Sequence, residues 1–366
     1  MAELGVYIHF PWCRARCPYC DFAVAVAPLA EIPHDAYAAA VLAELDRQAP
    51  RFSGRELRSI YFGGGTPALW RPDALARVVA EVRARLGEPA EITVEANPID
   101  CVPGTLAALR DAGVTRLSIG AQSFGDADLV FLGRDHSAAA SLAAAAAARA
   151  AGFAAVSLDL IFALPGRTLD DWNRTLDAAM ALAPDHLSVY QLTIEDRTPF
   201  GAAARAGRLV PADDEAAASQ FEAAHARLTA AGWEHYEVSS YARPGFRAVH
   251  NSLYWRAAEY LGLGAGAWSF LRGDDGGARW ENPRAVSRYL AGDPPAESRQ
   301  DAAGVRSDEV WLALRTVDGI AEERVRPSPG LDRLLRAGLL AREGGRLRPT
   351  PRGLLFSDEI GSVLLE

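Results

Sequence analysis

Cys13-Arg14-Ala15-Arg16-Cys17-Pro18-Tyr19-Cys20 sets three thiols at C-x3-C-x2-C spacing, just after the short apolar run Gly5-Val6-Tyr7-Ile8-His9-Phe10. Three thiolates hold three irons of a [4Fe–4S] cube and leave the fourth iron open to a ligand that is not a cysteine. A zinc site completed by His9 is the competing reading. Structural zinc, however, pairs one two-cysteine knuckle with two further ligands, and the fourth cysteine, Cys101, stands alone. A small core position suits Cys101 better than a ligand role. The three clustered thiols are also too close together for the disulfide framework of a secreted domain.

Beyond this cluster the chain alternates strand, polar tip and helix. Short apolar runs at 59–62, 92–95, 116–120, 155–161 and 186–190 read as strands, with helical stretches at 35–48, 72–86, 103–112, 137–151, 170–182 and 213–231. Strands separated by single helices imply βα units and a parallel sheet. Together with the strand at 5–10 they give six units, predicting an α/β fold: a partial (β/α)6 barrel of the TIM type. A doubly wound open sheet is the alternative topology. In the barrel, active groups gather at the C-terminal strand ends. Here those ends carry Gly63-Gly64-Gly65-Thr66, Glu95, Gln122, Asp159 and Gln191.

The pattern changes near residue 230. Residues 234–241 alternate as a strand, followed by His250-Asn251-Ser252-Leu253-Tyr254-Trp255 and the glycine-rich Gly262–Ala267. Asp293-Pro294-Pro295 reads as a linker. Helices are expected at 307–317 and 331–337, a hairpin turning at Gly344-Gly345, and a last helix over 351–364. The expected division is 1–230 for the barrel, 231–300 for an extension of it, and 301–366 for a small helical, winged-helix-like domain.

Composition narrows the function. The 366 residues carry a net charge of −9 with a pI near 5.4. That acidity argues against binding nucleic-acid phosphate, despite the arginines at 333, 336, 342, 346, 348 and 352. Lysine is absent and all 38 basic residues are Arg, which excludes a P-loop lysine, a Schiff-base lysine or a lysine general base. The N-terminus has no basic region followed by a long apolar one, and no run approaches a membrane span. A cytoplasmic location is expected.

C-x3-C-x2-C ahead of a partial βα barrel resembles the radical S-adenosylmethionine (SAM) superfamily. The resemblance implies that SAM chelates the open iron and that one electron from the cluster cleaves it to a 5′-deoxyadenosyl radical. Tyr7-Ile8-His9-Phe10-Pro11-Trp12-Cys13, with Cys17-Pro18-Tyr19-Cys20-Asp21-Phe22, is similar to one branch of it. That branch holds the oxygen-independent coproporphyrinogen III oxidases and their heme-chaperone relatives. The likeness extends to Leu314-Arg315-Thr316-Val317-Asp318-Gly319-Ile320. The oxidases carry a further cysteine two residues after the third, where this chain has Phe22. The chaperones carry Phe there and also His-Asn-x-x-Tyr-Trp, present here as His250 to Trp255.

The resemblance implies that Cys13, Cys17 and Cys20 hold the cluster. It also implies SAM contacts for Tyr7, Gly64, Gly65, Thr66, Glu95, Gln122, Arg134 and Asp159, and heme contact for His250, with Tyr254, Trp255 and Trp268 able to stack on a porphyrin. Each has a plainer alternative. Tyr7 can be a core strand residue, the glycines a tight turn, and Glu95 and Asp159 loop or cap residues. His250 can be a hydrogen-bonded structural histidine among core aromatics. The function implied is a heme chaperone that delivers heme to an acceptor protein, with an electron donor as a possible further partner. The alternatives are oxidative decarboxylation of coproporphyrinogen III to protoporphyrinogen IX and a radical SAM reaction on another substrate.

Overall fold

The computed structural model describes residues 1–365. Six strands follow one another across a parallel sheet: β1 (Glu3–Phe10), β2 (Glu56–Gly64), β3 (Glu91–Ala96), β4 (Arg116–Gln122), β5 (Ala155–Phe162) and β6 (His186–Gln191). The crossovers between them carry α1 (His34–Gln48), α2 (Pro72–Leu86), α3 (Pro103–Asp111), α4 (Ala138–Ala151) and α5 (Leu169–Ala181). Because each strand lies beside its predecessor, the sheet never reverses direction. The doubly wound alternative is thereby excluded and the (β/α)6 barrel borne out.

Local sequence sets these boundaries. Pro72 opens α2 at a position where its missing N–H costs nothing. Thr168 and Asp171 form a reciprocal capping box on α5. Ser137 caps α4, and Gly152 ends it in the left-handed region at φ 78°. Along β1 the period is two. Leu4, Val6, Ile8 and Phe10 are fully buried on the helix side, with Phe10 stacked on Trp70 at 5.1 Å. Gly5, Tyr7 and His9 alternate with them and face the barrel interior.

Both flanks of the sheet are then extended. After α6 (Asp214–Ala230), the residues expected as one strand at 234–241 form two, β7 (Glu234–Glu237) and β8 (Ser240–Ala242), turning at Val238-Ser239. These close one edge beside β6 in antiparallel pairing. The chain then crosses through α7 (Val249–Trp255) to the other edge. There β9 (Glu259–Leu263) pairs parallel to β1, and β10 (Trp268–Gly273), β11 (Gly276–Glu281) and β12 (Ala296–Asp301) follow in antiparallel order. The twelve strands form one open sheet.

A second, smaller core gathers Val310, Leu314, Ile320, Leu331, Leu334, Leu347 and Ile360. Its first helix runs Ala302–Ala313, capped by Asp301, rather than over 307–317. The expected last helix is two, Pro351–Leu355 and Ser357–Leu365. Residues 314–317 leave the helix to meet β7 through the backbone: Val238 N donates to Arg315 O and Val317 N to Tyr236 O.

Candidate functional site

At the C-terminal ends of the parallel strands lies a cavity of about 870 Å³, within the size range of cofactor sites. Its walls include Tyr7, Cys13, Cys17, Cys20, Gly64, Gly65, Thr66, Glu95, Gln122, Arg134 and Asp159. The cluster cysteines and every residue expected to contact SAM reach this one space; His250 and Trp255 do not.

The cysteine segment is seated on β2 through glycines. A Cβ on Gly65 would stand 2.6 Å from Trp12 O, and one on Gly64 would stand 2.5 Å from the His9 ring, at a φ of 111°. Gly65 N donates to Phe10 O and Thr66 N to Trp12 O, both at 2.8 Å, while Gly64 N donates to Glu95 Oε2 at 3.3 Å. These amides are therefore engaged within the protein. The glycines serve close packing of the cysteine-bearing chain, which a side chain at either position would displace. Further ties come from Ala25 N to Pro11 O, from His9 Nε2 at 2.9 Å from Ala23 O, and from Arg14 to the buried carboxylate of Asp100. The latter two fix both ends of the thiol loop.

The thiol surroundings fit a cluster. Among the described residues no three His, Cys, Asp or Glu side chains group tightly enough for one metal ion. A cube, by contrast, takes its three thiolates at separate corners. Arg134 Nη1 donates to Cys17 Sγ at 3.3 Å, and Thr66 Oγ1 to Cys13 Sγ at 3.7 Å. Donors of this kind suit sulfurs that carry negative charge. Burial pushes the Cys13 thiol up to about 11, against the Thr66 hydrogen bond, so a bound cation is what would keep it ionised.

The acidic tips are buried and supported. Glu95 Oε1 accepts from Tyr61 Oη at 2.7 Å, and burial raises its carboxyl to about 7. Asp159 accepts from Ser118 Oγ at 3.1 and 3.2 Å and is likewise raised by burial. Neither is a loop or cap residue. Gln122 ends β4 at φ 65°, a left-handed conformation uncommon outside glycine. Arg134 is also held by Gly120 O at 3.3 Å and by Asn97.

His250 lies outside the cavity, 1% exposed. Its Nδ1 is 2.8 Å from Ser59 Oγ and its Nε2 3.0 Å from Tyr254 Oη, and its ring stacks on Tyr61 at 4.9 Å. Burial lowers its pKa to about 3, so the ring is neutral. With both nitrogens engaged, the imidazole presents no free electron pair to an iron, and the hydrogen-bonded alternative describes its placement. Tyr254 and Trp268 do line the cavity, joined by Tyr260; Trp255 does not. Asn97, Tyr61 and Tyr260 were not singled out from the sequence. Asn97 stood at a recognised strand tip, whereas the two tyrosines carried no local signal.

A parallel partial barrel with three cysteines at the mouth of its cavity defines a radical SAM protein, and the family model described as the Radical SAM superfamily matches residues 7–179. The chain is 37% identical over 380 residues to the heme chaperone HemW of Escherichia coli (strain K12), spanning 100% of this chain and 99% of that protein. It is 38% identical over 376 residues to the heme chaperone HemW of Mycobacterium tuberculosis (strain ATCC 25618 / H37Rv), across 99% and 94%. Among solved structures, coproporphyrinogen III oxidase (HemN) from Escherichia coli superposes with a TM-score of 0.80 at 23% identity, covering 99% of this chain and 90% of that one. At that identity the likeness establishes the fold. The chain belongs to the HemW family, the branch that Phe22 and His250–Trp255 had indicated.

Proposed function

We propose that this protein binds heme and passes it to a heme-requiring acceptor protein, and that it works in the cytoplasm with a [4Fe–4S] cluster and SAM. The observation that carries this reading is one cavity that joins three cluster thiols to an aromatic wall, in a chain aligned end to end with proteins named as heme chaperones. Cys13, Cys17 and Cys20 hold the cluster. Arg134 and Thr66 orient two of its thiolates through hydrogen bonds. Bound at such a site, a cluster supplies single electrons and an open iron position.

Tyr7, Gly64, Gly65, Thr66, Glu95, Gln122, Arg134 and Asp159 form the SAM site. Its chemistry matches a ligand that carries an ammonium, a sulfonium, ribose hydroxyls and a carboxylate. Glu95 and Asp159 face the cationic and hydroxyl groups, and the Arg134 guanidinium suits the carboxylate. Tyr254, Tyr260 and Trp268 offer ring faces to a porphyrin.

Anaerobically reconstituted protein should bind hemin with a shifted Soret band and then give it up to an apo heme protein. Conversion of coproporphyrinogen III in the presence of SAM and a reductant, without such transfer, would replace this reading with the oxidase one.

A further inference from the structure

The lip of the cavity carries two guanidinium groups that take no part in the cluster or SAM sites proposed above. Arg16, exposed on the thiol loop, donates through Nη2 to Cys20 O at 3.3 Å, and Arg284 donates through Nη2 to Asp21 O at 2.9 Å. The two hold consecutive carbonyls of one short stretch, and both line the cavity. Gly266 draws the Arg284 loop against that stretch: a Cβ there would stand 2.6 Å from Ala23 Cβ and 3.8 Å from Arg284 Cα. Phe22, 66% exposed, and Trp268, 46% exposed, line the same lip and are large apolar side chains that the fold leaves uncovered. Among the described residues Arg16 forms no ion pair, and Arg284 reaches only Glu281, at 3.7 Å. Of the carboxylates lining the cavity near them, Asp21 is drawn to Arg197 at 3.6 Å, and Glu195 and Asp135 pair with neither arginine. Arg134, the third guanidinium on the cavity, is engaged by Cys17, Asn97 and Gly120. The barrel strands bring carboxyl groups to this space, Glu95 on β3 and Asp159 on β5, whereas its lip brings free cations.

We infer that Arg16 and Arg284 receive the two propionates of heme at the cavity lip, with the porphyrin ring against Phe22 and Trp268. This rests on the heme-binding reading above. Heme is an apolar disc with two ionised carboxylates on one edge. A site that orients it needs ring faces for the disc and two neighbouring cations for that edge. A guanidinium pairs with a carboxylate through two parallel N–H donors, and each of these arginines keeps donors beyond the one its carbonyl takes. Deeper in the cavity, Glu95 and Asp159 offer a propionate no cation. Charge therefore sets the direction of entry: the ring goes inward and the propionate edge stays at the mouth. Ion pairs at an exposed lip are weak and readily exchanged. An acceptor protein thus meets the carboxylates first and can take them over before the ring leaves.

The test titrates the full-length, cluster-reconstituted protein with hemin and with hemin dimethyl ester, whose carboxyl groups carry no charge, and follows the Soret band. Wild type should bind hemin roughly tenfold more tightly than the ester, by a margin that narrows at high salt. Arg16→Gln and Arg284→Gln should each weaken hemin about threefold to tenfold and leave the ester affinity unchanged. Arg16→Lys, which keeps the charge, should retain most of the hemin affinity. The ester titration, with the cluster absorbance, shows whether each variant is folded, and the wild-type comparison of the two ligands needs no variant at all. Equal affinity of wild type for hemin and its ester overturns the assignment and leaves the chaperone reading standing. So do folded Gln variants that bind hemin as wild type does, or that lose both ligands alike. Absence of binding of either ligand by wild type overturns the chaperone reading itself.

Discussion

Asn97 stands between Arg134 and Thr66, the two residues that donate to cysteine sulfurs. Its Oδ1 accepts from Arg134 Nη2 at 2.5 Å, and its Nδ2 donates to Thr66 Oγ1 at 3.4 Å. One amide therefore orders the hydrogen bonds on both Cys17 and Cys13. Asn97→Ala should loosen both donors and shift the cluster to a lower reduction potential, because hydrogen bonds to sulfur favour the reduced state. A redox titration followed by electron paramagnetic resonance measures the shift. An unchanged potential would show that the amide does not control the thiolates.

Gly65→Ala places a methyl group 2.6 Å from Trp12 O and 2.8 Å from the Pro11 carbonyl. Both neighbours are backbone, so the segment bearing the cysteines has to move. A loss of about 1–3 kcal/mol is expected, together with reduced iron content after reconstitution. Chemical denaturation and iron analysis check the two effects. A variant with wild-type stability and full iron loading would refute the seating role of the glycines.

Cys20→Ser should abolish the visible absorbance of the reconstituted cluster while leaving helix content by circular dichroism unchanged. Phe22→Cys should not raise the iron content, since Phe22 is 66% exposed at the cavity lip and the proposed cluster takes its three thiolates from Cys13, Cys17 and Cys20. Nor should it confer coproporphyrinogen oxidation. Iron content above that of wild type, or turnover of coproporphyrinogen, would overturn this expectation.

Glu237 is 2% exposed, beneath the junction with residues 314–317, and burial pushes its carboxyl up to about 7 despite donors from Ser239 and Ser240. The folded protein keeps this proton over a range in which the unfolded chain, with an ordinary Glu, has lost it. Its contribution to stability therefore falls as pH rises from about 4.5 to about 7. Glu237→Gln removes that dependence. The unfolding free energy of the variant relative to wild type should rise between pH 5 and pH 8, by at most about 3 kcal/mol. Denaturant melts at the two pH values decide it; a constant difference would place the Glu237 pKa in the ordinary range.

Much of the barrel was legible because its signals are local. The β5 run Ala155–Phe162, the Thr168 cap and the Pro72 start each lie within a few residues of the structure they specify. The strand tips were legible for the same reason, and Glu95, Gln122 and Asp159 do share one cavity. Long-range pairing was not. Nothing near Glu259 announces that it will lie beside Leu4, or that α7 will carry the chain across to that edge. The placement of His250 was hidden too. Whether an imidazole faces a cavity or a serine 191 residues away depends on which strand passes behind it.

β1 has consequences for how the molecule is made. It is hydrogen-bonded on one side to β2 and on the other to β9, which ends at Leu263. The cysteine loop that follows β1 is touched still later in the chain, where Arg284 donates to Asp21 O at 2.9 Å and Gly266 lies against Ala23. During synthesis β1 emerges well before β9, so one of its two edges stays unpaired until the chain has been made through Leu263. Sequence separations of this size slow folding, because the ends of a long loop have to meet before any contact stabilises them. Over that interval the thiols remain on an incompletely enclosed loop, open to whatever delivers iron and sulfide, and the loop gains its last cover only once Gly266 and Arg284 have been made.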